Sequence, residues 1–180
     1  MTDITAPGRQ SRPATIIGWL MFLAFFALFW NIIMLPRTAL DQREVLRGVH
    51  DSLGLVVIVL AALRLWLMIR WPAPQAPDGL PAASFNFNRT LLVALYLVFA
   101  ANGLIGFFYA WAEGREVVTF GMQLPRLVAK SESLRMTTGY LHSALGFYYM
   151  MLFSIWVAYG IYQHIRYRAG LLRLLPGSRV

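Results

Sequence analysis

The stretch Gly139–Trp156, GYLHSALGFYYMMLFSIW, decides the fold of this chain. It belongs to a run from Met136 to Gln163 that contains no Asp, Glu, Lys or Arg. A helix of that length exceeds the roughly 20 residues needed to cross the apolar core of a bilayer. His142 stands near the start of the run, and an imidazole in hydrocarbon needs a partner. The stretch therefore predicts a membrane-spanning helix that carries a polar site.

Three more apolar blocks of membrane-crossing length occur in the chain, at residues 13–36, 52–69 and 90–112. Apolar residues make up 58% of the 180 residues, and the mean hydropathy is +0.57. A water-soluble domain of this length rarely reaches such values. We predict an all-α integral membrane protein, a four-transmembrane-helix bundle with helices at about 14–35, 48–70, 90–112 and 136–165, in one domain over 1–180.

The first block is predicted to be a retained helix. It is too long for the apolar region of a cleaved signal peptide, and no small-residue cleavage site closes it before Asn31 and Pro36. The lack of cysteine excludes thiolate-held iron–sulfur clusters, covalent haem attachment and disulfides. The net charge of +8 needs no nucleic acid partner, since arginines are common at the ends of membrane helices.

An even number of helices places both termini on one side of the membrane. Nine basic residues lie on that side, counting the loop between the second and third helices, and seven lie on the opposite side. The positive-inside rule therefore predicts cytoplasmic termini, by a narrow margin.

Two histidines are predicted to lie at one depth. With this topology His50 and His142 each stand within about two turns of the outer end of a helix, because an α-helix rises 1.5 Å per residue. Two imidazoles at one depth can hold a metal between helices, and a bis-histidine b-type haem suits the core of a bundle. A lone histidine could instead hydrogen-bond to a neighbouring helix or lie among headgroups, but the matched pair favours a shared cofactor.

Glycines support that interpretation. Gly54 follows His50 by four residues and Gly146 follows His142 by four, so each lies on the same helix face one turn along. A flat macrocycle needs such clearance, although small residues also let membrane helices pack closely without a cofactor. The third histidine, His164, lies beside Arg166 and Arg168 and is predicted to be a solvated interfacial residue.

Several segments resemble the bacterial cytochrome b561 family, the small four-helix, quinol-linked cytochromes that include superoxide oxidase. The similar segments are GVHDSLGLVVIVLAALRLWLMIRWPAP (48–74), LYLVFAANGLIGFFYAW (95–111) ahead of FGMQLP (120–125), SLRMTTGYLHSALGF (133–147) and LLRLLPG (171–177). Their order, spacing and loop lengths agree over nearly the whole chain. The resemblance implies a protein of the bacterial inner (cytoplasmic) membrane.

The resemblance also implies haem ligands. The family typically holds two b haems with four histidines, one haem near each face of the membrane. The two histidines that hold the outer haem match His50 and His142. The position of one inner ligand, just before Trp19-Leu20, is Gly18, and the other, fourteen residues after His142, is Trp156. Both inner ligands are thus replaced, a small residue standing opposite a large one. We therefore expect one non-covalent haem b.

The function expected from these features is that of a mono-haem membrane cytochrome. It would exchange electrons between the quinone pool, with ubiquinone as a further ligand, and a periplasmic donor or acceptor such as superoxide. Arg115, Arg126, Lys130 and Arg135 in the outer loop could neutralise haem propionates or steer an anion, or belong to an ordinary solvated loop. Arg64 lies on the His50 face of its helix, and its depth calls for an acceptor such as a carbonyl, a lipid phosphate or a quinone.

Two alternatives remain open from the sequence. The chain could be a non-catalytic accessory or assembly subunit that keeps this scaffold inside a larger respiratory or photosynthetic membrane complex. It could also be the membrane anchor of a periplasmic dehydrogenase. In either case its partners would include other subunits of a membrane redox complex as well as the lipid bilayer.

Overall fold

Four long helices carry the fold. The computed structural model describes residues 12–70, 75–76 and 78–168. The helices are α1 Arg12–Met34, α2 Arg43–Arg70, α3 Ala82–Glu113 and α4 Glu132–Tyr167. Each lies in a segment long and apolar enough to cross a membrane. The predicted all-α, four-transmembrane-helix bundle is thereby confirmed, while the side of the membrane that holds the termini stays a prediction.

The helices extend beyond the spans expected from hydropathy. α3 has 32 residues and α4 has 36, more than the roughly 20 that a bilayer core requires. Hydropathy marks the apolar part of a helix and overlooks its polar ends. α3, for example, begins directly after Pro81, whose carbonyl accepts a hydrogen bond from the backbone N–H of Phe85 at 3.0 Å. The polar stretch 82–89 is therefore helical.

Short connections join the helices at one end of the bundle. Two 3-10 turns, Leu35–Arg37 and Leu40–Gln42, link α1 to α2. The α3–α4 loop begins at Gly114, whose φ of 91° ends α3 in a left-handed cap. It then forms a small antiparallel hairpin of β1 Val118–Thr119 and β2 Met122–Gln123. We call this end of the bundle the site end, and the end where α1 begins the termini end.

The arrangement of helices leaves a gap on one side of α4. α1 packs on α2, α2 on α3 and α3 on α4, but no described Cα of α4 lies within 8 Å of α1 or α2. Towards the termini end, aromatic rings cross this gap. The ring centroids of Phe25 and Phe153 are 4.4 Å apart, and those of Phe25 and Tyr149 are 5.3 Å apart. Towards the site end the gap is a cavity.

A polar cluster ties α3 to α4 near the termini end. The Gln163 side chain is fully buried. Its Nε2 donates to the carbonyl of Ser84 at 3.0 Å and to the Ser84 Oγ at 2.9 Å. Ser84 Oγ also lies 2.8 Å from the hydroxyl of Tyr159. Buried side-chain hydrogen bonds between membrane helices of this kind fix their register.

Candidate functional site

His50 of α2 and His142 of α4 face each other across the gap. Their ring centroids are 6.1 Å apart, and their planes lie at 84°. A metal with imidazole nitrogens about 2 Å away on each side would place the ring centres about 6 Å apart. The structure thus brings together the two histidines for which the sequence predicts one depth, at a separation that suits a shared metal.

Asn31 of α1 determines which nitrogen of His50 carries the proton. The Asn31 side chain is buried, with 3% exposed. Its amide nitrogen donates to the carbonyl of Leu46 at 3.0 Å, and its Oδ1 lies 3.2 Å from Nδ1 of His50. Because an amide oxygen can only accept, Nδ1 of His50 must be the donor. The lone pair of Nε2 therefore stays available to a metal.

His142 obtains the same tautomer from the main chain of α3. Its Nδ1 lies 3.0 Å from the carbonyl oxygen of Asn102, which can only accept a hydrogen bond. Gly106 makes this approach possible, since a Cβ there would lie 2.8 Å from Cε1 of His142. Sequence reasoning missed Asn31, Asn102 and Gly106. A signal was present for Asn31, a polar side chain within an otherwise apolar span.

A cavity of about 590 Å³ adjoins both imidazoles, within the 300–1,000 Å³ typical of cofactor and ligand sites. All four helices line it, and both glycines proposed for clearance, Gly54 and Gly146, are among the lining residues. A Cβ added at Gly54 would meet nothing within 4 Å, and one at Gly146 would lie 3.6 Å from Nδ2 of Asn102. The space beside His50 is therefore open.

The ligand set suits haem better than a bare metal ion. Within the described residues no three His, Cys, Asp or Glu side chains lie close enough to hold a metal together. Two imidazoles alone are fewer ligands than a protein-bound metal ion takes, and a porphyrin would supply four further nitrogens. The two available lone pairs, the cofactor-sized cavity and the open space at Gly54 fit such a group.

Charged side chains line the part of the cavity nearest the site end. Arg47, Asp51, Glu113 and Arg115 belong to this rim. Arg115 donates to both carboxylate oxygens of Asp51, at 2.7 Å from Nη1 and 3.4 Å from Nη2. Burial lowers the pKa of the Arg115 guanidinium, but the hydrogen bond and charge of Asp51 outweigh that effect, so its pKa is raised.

Of the four basic residues predicted to contact an anion, Arg115 lines this cavity and the other three do not. Arg126 is exposed and donates to the carbonyl of Gly114 at 2.9 Å. Arg135 pairs with Glu132, and Lys130 is exposed and packs near Gly114. Arg47, which sequence reasoning missed, also lines the cavity. His164 lies exposed in the last turn of α4, far along the helix from His142.

Gly18 and Trp156 line one small cavity towards the termini end. Its volume is about 70 Å³, and Arg64 and Tyr96 also border it. Phe25 and Tyr149 line both cavities and so form the wall between them. The two positions that the resemblance assigns to a second pair of haem ligands thus lie at one place in the bundle, where little space is left.

Comparison with known proteins agrees with this architecture. The family model of prokaryotic cytochrome b561 matches residues 9–177. The chain is also 21% identical over 164 residues to a Yersinia pestis protein named "Probable superoxide oxidase CybB", covering 91% of this chain and 93% of that protein. The family implies haem b and electron transfer within a bacterial membrane. The fold, the paired histidines and the match together show that the chain belongs to the prokaryotic cytochrome b561 family.

Proposed function

We propose that this protein binds one haem b between His50 and His142 and exchanges electrons between a quinone and a second redox partner at the site end, with superoxide as the donor. The observation that carries the proposal is the pair of imidazoles. Their ring centroids are 6.1 Å apart, and both Nδ1 atoms are hydrogen-bonded. Both rings line a cavity of about 590 Å³.

The protein's own residues would hold and orient the group. His50 and His142 would hold the haem iron through their Nε2 atoms, and Gly54 would leave room for the macrocycle. When bound, haem supplies a one-electron exchange between ferric and ferrous iron. Asn31 and the Asn102 carbonyl would keep both imidazoles in the ligating tautomer throughout that exchange.

One haem, rather than two, is supported by the termini half of the bundle. Gly18 and Trp156 offer no ligating nitrogen of the imidazole type, and the cavity between them measures only about 70 Å³. A single haem near the site end cannot carry electrons across the membrane. Both redox partners must therefore reach the same end, which faces the periplasm in the predicted orientation.

Superoxide is proposed as one of those partners. The rim carries two arginines, Arg47 and Arg115, and two acids, Asp51 and Glu113, so its formal charges balance. Loss of one arginine would leave the rim negative and repel an anion. The name of the Yersinia relative supports the same donor. Oxidation of two superoxide ions to dioxygen releases two electrons, which together with two protons reduce one quinone to its quinol.

Counting haem per chain tests the site. We expect a pyridine haemochrome assay on the purified protein to give one haem per chain, and none after His50→Ala or His142→Ala. His164→Ala is the matched control, since His164 is exposed at the termini end. Absence of haem from the wild type would instead favour an accessory subunit, and two haems would contradict the roles given to Gly18 and Trp156.

The electron route has its own test on the haem-loaded protein. We expect superoxide from a generating system to reduce the haem, and an added ubiquinone analogue to reoxidise it. Both changes are followed in the absorption spectrum of the haem. Arg47→Gln should slow the reduction by superoxide, with a smaller effect at high salt because screening already weakens the attraction. Reduction that is insensitive to superoxide dismutase would rule out superoxide as the donor.

A further inference from the structure

The β-hairpin of the α3–α4 loop runs along the side of α2. A Cβ placed at Gly48 would lie 4.0 Å from the carbonyl oxygen of Val118, and the backbone N–H of Phe120 donates to Ser52 Oγ at 3.0 Å. Four residues of helix rise about 6 Å, and two residues of strand span about 6.6 Å. β1 therefore runs alongside α2 in the same direction, and the turn of the hairpin points from the site end towards the middle of the bundle.

The level that the turn reaches lies within the membrane span of α2. The Asn31 side chain of α1 donates to the carbonyl of Leu46, so these two residues lie at one level. The first charged residue of the chain beyond Asn31 is Arg37. Ser52 follows Leu46 by six residues, about 9 Å further from the site end. The turn thus lies well inside the last charged position of the α1 segment, at a level where we expect lipid around the bundle.

The outward surface of the hairpin is apolar. Phe120 is 63% exposed and Met122 is 65% exposed. The segment 117–125, VVTFGMQLP, contains no charged residue, whereas Glu116 and Arg126 stand directly at its two ends. Large apolar side chains exposed together mark a surface that contacts a partner or a membrane. An apolar middle between charged ends suits a segment that dips into a bilayer and returns to its surface.

The turn itself is strained. Thr119 pairs with Met122, which leaves Phe120 and Gly121 as the two turn residues, with φ of 50° and 77°. Two-residue hairpin turns of this kind favour Asn-Gly, because both central residues need a positive φ. Phenylalanine is a rare choice there, since its Cβ disfavours the left-handed region. The ring gains little burial within the protein, so its presence at a strained position points to a contact outside the chain.

The backbone of the hairpin is suited to an apolar environment. Lipid offers no hydrogen-bond partner, so N–H groups that face it need one within the protein. Ser52 Oγ accepts from the N–H of Phe120 and donates to the carbonyl of Gly48 at 2.7 Å. The N–H of Leu124 donates to the carbonyl of Val117 at 2.9 Å. The side chain of Ser52 thus provides the turn with the partner that water gives to a solvated loop.

We propose that the tip of this hairpin inserts into the bilayer leaflet at the site end, with Phe120 and Met122 against lipid acyl chains. The occupant of this surface is lipid, because the turn lies at the depth of the membrane span and its segment carries no charge for a soluble partner. Insertion would anchor the loop that packs on the site end. It needs neither haem nor quinone, so its failure would leave the proposed function untouched.

Spin labels on the protein in lipid nanodiscs test the insertion. The chain has no cysteine, so Met122→Cys, Leu23→Cys and Lys130→Cys each give a single labelling site. Leu23 is 61% exposed on α1 and serves as the lipid reference, while Lys130 is exposed in the loop and serves as the water reference. Power saturation compares collisions of the label with dissolved oxygen, which concentrates in lipid, and with a water-soluble nickel complex.

We expect the label at residue 122 to show a several-fold higher oxygen-to-nickel collision ratio than the label at residue 130, with a value towards that of the α1 reference. A label at residue 122 that nickel reaches as readily as at residue 130 would place the tip in water and overturn the proposal. A label that neither reagent reaches would show that protein covers the tip, with the same consequence.

Phe120→Asn tests the role of the ring by the sign of its effect. This substitution supplies the residue type that the turn prefers but removes the apolar ring. If the ring is anchored in lipid, hydrogen exchange of the loop amides in nanodiscs should become several-fold faster. If the ring has no partner, relief of the backbone strain should make exchange slower.

Leu127→Asn is the matched control. Leu127 is 66% exposed in the same loop but lies outside the charge-free segment, so exchange of the hairpin amides should equal that of the wild type. Equal or slower exchange in Phe120→Asn would overturn the proposal.

Discussion

At the scale of single residues, the two imidazoles reach the same tautomer by different means. His142 donates to a main-chain carbonyl of α3, which no substitution removes. His50 donates to the Asn31 side chain, which is itself oriented by the carbonyl of Leu46. Partners on the second ring nitrogen orient a metal-ligating histidine and make it more basic. Asn31 is therefore the one replaceable group in this pair of hydrogen bonds.

Asn31→Leu keeps a side chain of similar size and removes both hydrogen bonds. We expect haem to bind about 10–100-fold more weakly. We also expect a more positive midpoint potential. A less basic imidazole donates less electron density to the iron, and this destabilises the ferric state more than the ferrous state. Haem retention during dilution and a spectroscopic redox titration measure these effects.

Asn86→Leu is the control for that substitution, because Asn86 is exposed on α3. Its haem content and potential should equal those of the wild type. An Asn31→Leu protein with unchanged potential and unchanged haem affinity would show that Asn31 has no positioning role.

At the scale of structural elements, the α3–α4 loop is held against α2 close to the site. Arg115 reaches the buried carboxylate of Asp51, and the backbone N–H of Phe120 donates to Ser52 Oγ at 3.0 Å. The side chains of Val117 and Thr119 are fully buried beneath the hairpin. The loop is thus a packed lid on the site end, although its sequence of mixed charges is typical of a solvated connection.

Arg115→Gln should loosen this lid. It leaves the Asp51 carboxylate, which is 7% exposed, without its ionic partner. Breaking a buried ion pair costs about 3–5 kcal/mol, and the partial exposure of Arg115 reduces the expected loss to about 2 kcal/mol. We expect a lower unfolding temperature and faster hydrogen exchange of the loop amides, measured by mass spectrometry.

Arg126→Gln provides the comparison within the same loop. Arg126 is exposed and donates a hydrogen bond to the carbonyl of Gly114. We expect a change in stability of less than about 0.5 kcal/mol, as at most surface positions. If both variants lose stability equally, the Asp51–Arg115 pair is not what holds the loop.

At the scale of the whole molecule, the gap beside α4 is used differently along its length. In the termini half, the rings of Phe25, Phe153 and Tyr149 fill it. In the site half it widens into the 590 Å³ cavity. Gly18 and Trp156 line the small space that remains in the termini half. Within the described residues, the cofactor-sized cavity therefore lies towards the site end.

Restoring the two histidines alone should not restore a second haem. Gly18→His combined with Trp156→His supplies two imidazoles, but the cavity that both positions border measures about 70 Å³, against the roughly 300–1,000 Å³ typical of cofactor sites. We expect one haem per chain in a pyridine haemochrome assay and one component in a redox titration. Gly18→His alone is the control and should also keep one haem, and two haems in the double variant would show that missing ligands rather than missing space limit binding there.

Much of the fold could be read from hydropathy, because an apolar stretch of about 20 residues has few stable arrangements outside a membrane helix. The depth of His50 and His142 followed from the fixed rise of a helix. Helix ends were predicted too short, since the polar turns of α2, α3 and α4 carry no hydropathy signal. Hydropathy gave no sign that the α3–α4 loop packs on α2. That packing depends on contacts such as the one between Arg115 and Asp51, which are 64 residues apart in the sequence.

The sequence by itself therefore determined the four membrane helices, the family and the pair of histidines expected at one depth, since each of these depends on residue type and local spacing. Only the tertiary structure decided that Asn31 and the Asn102 carbonyl would orient those histidines. It alone decided that Gly106 would admit one of them, and that Gly18, Arg64 and Trp156 would border one cavity. These contacts join different helices, and their geometry depends on how the helices pack rather than on any property of the segments alone.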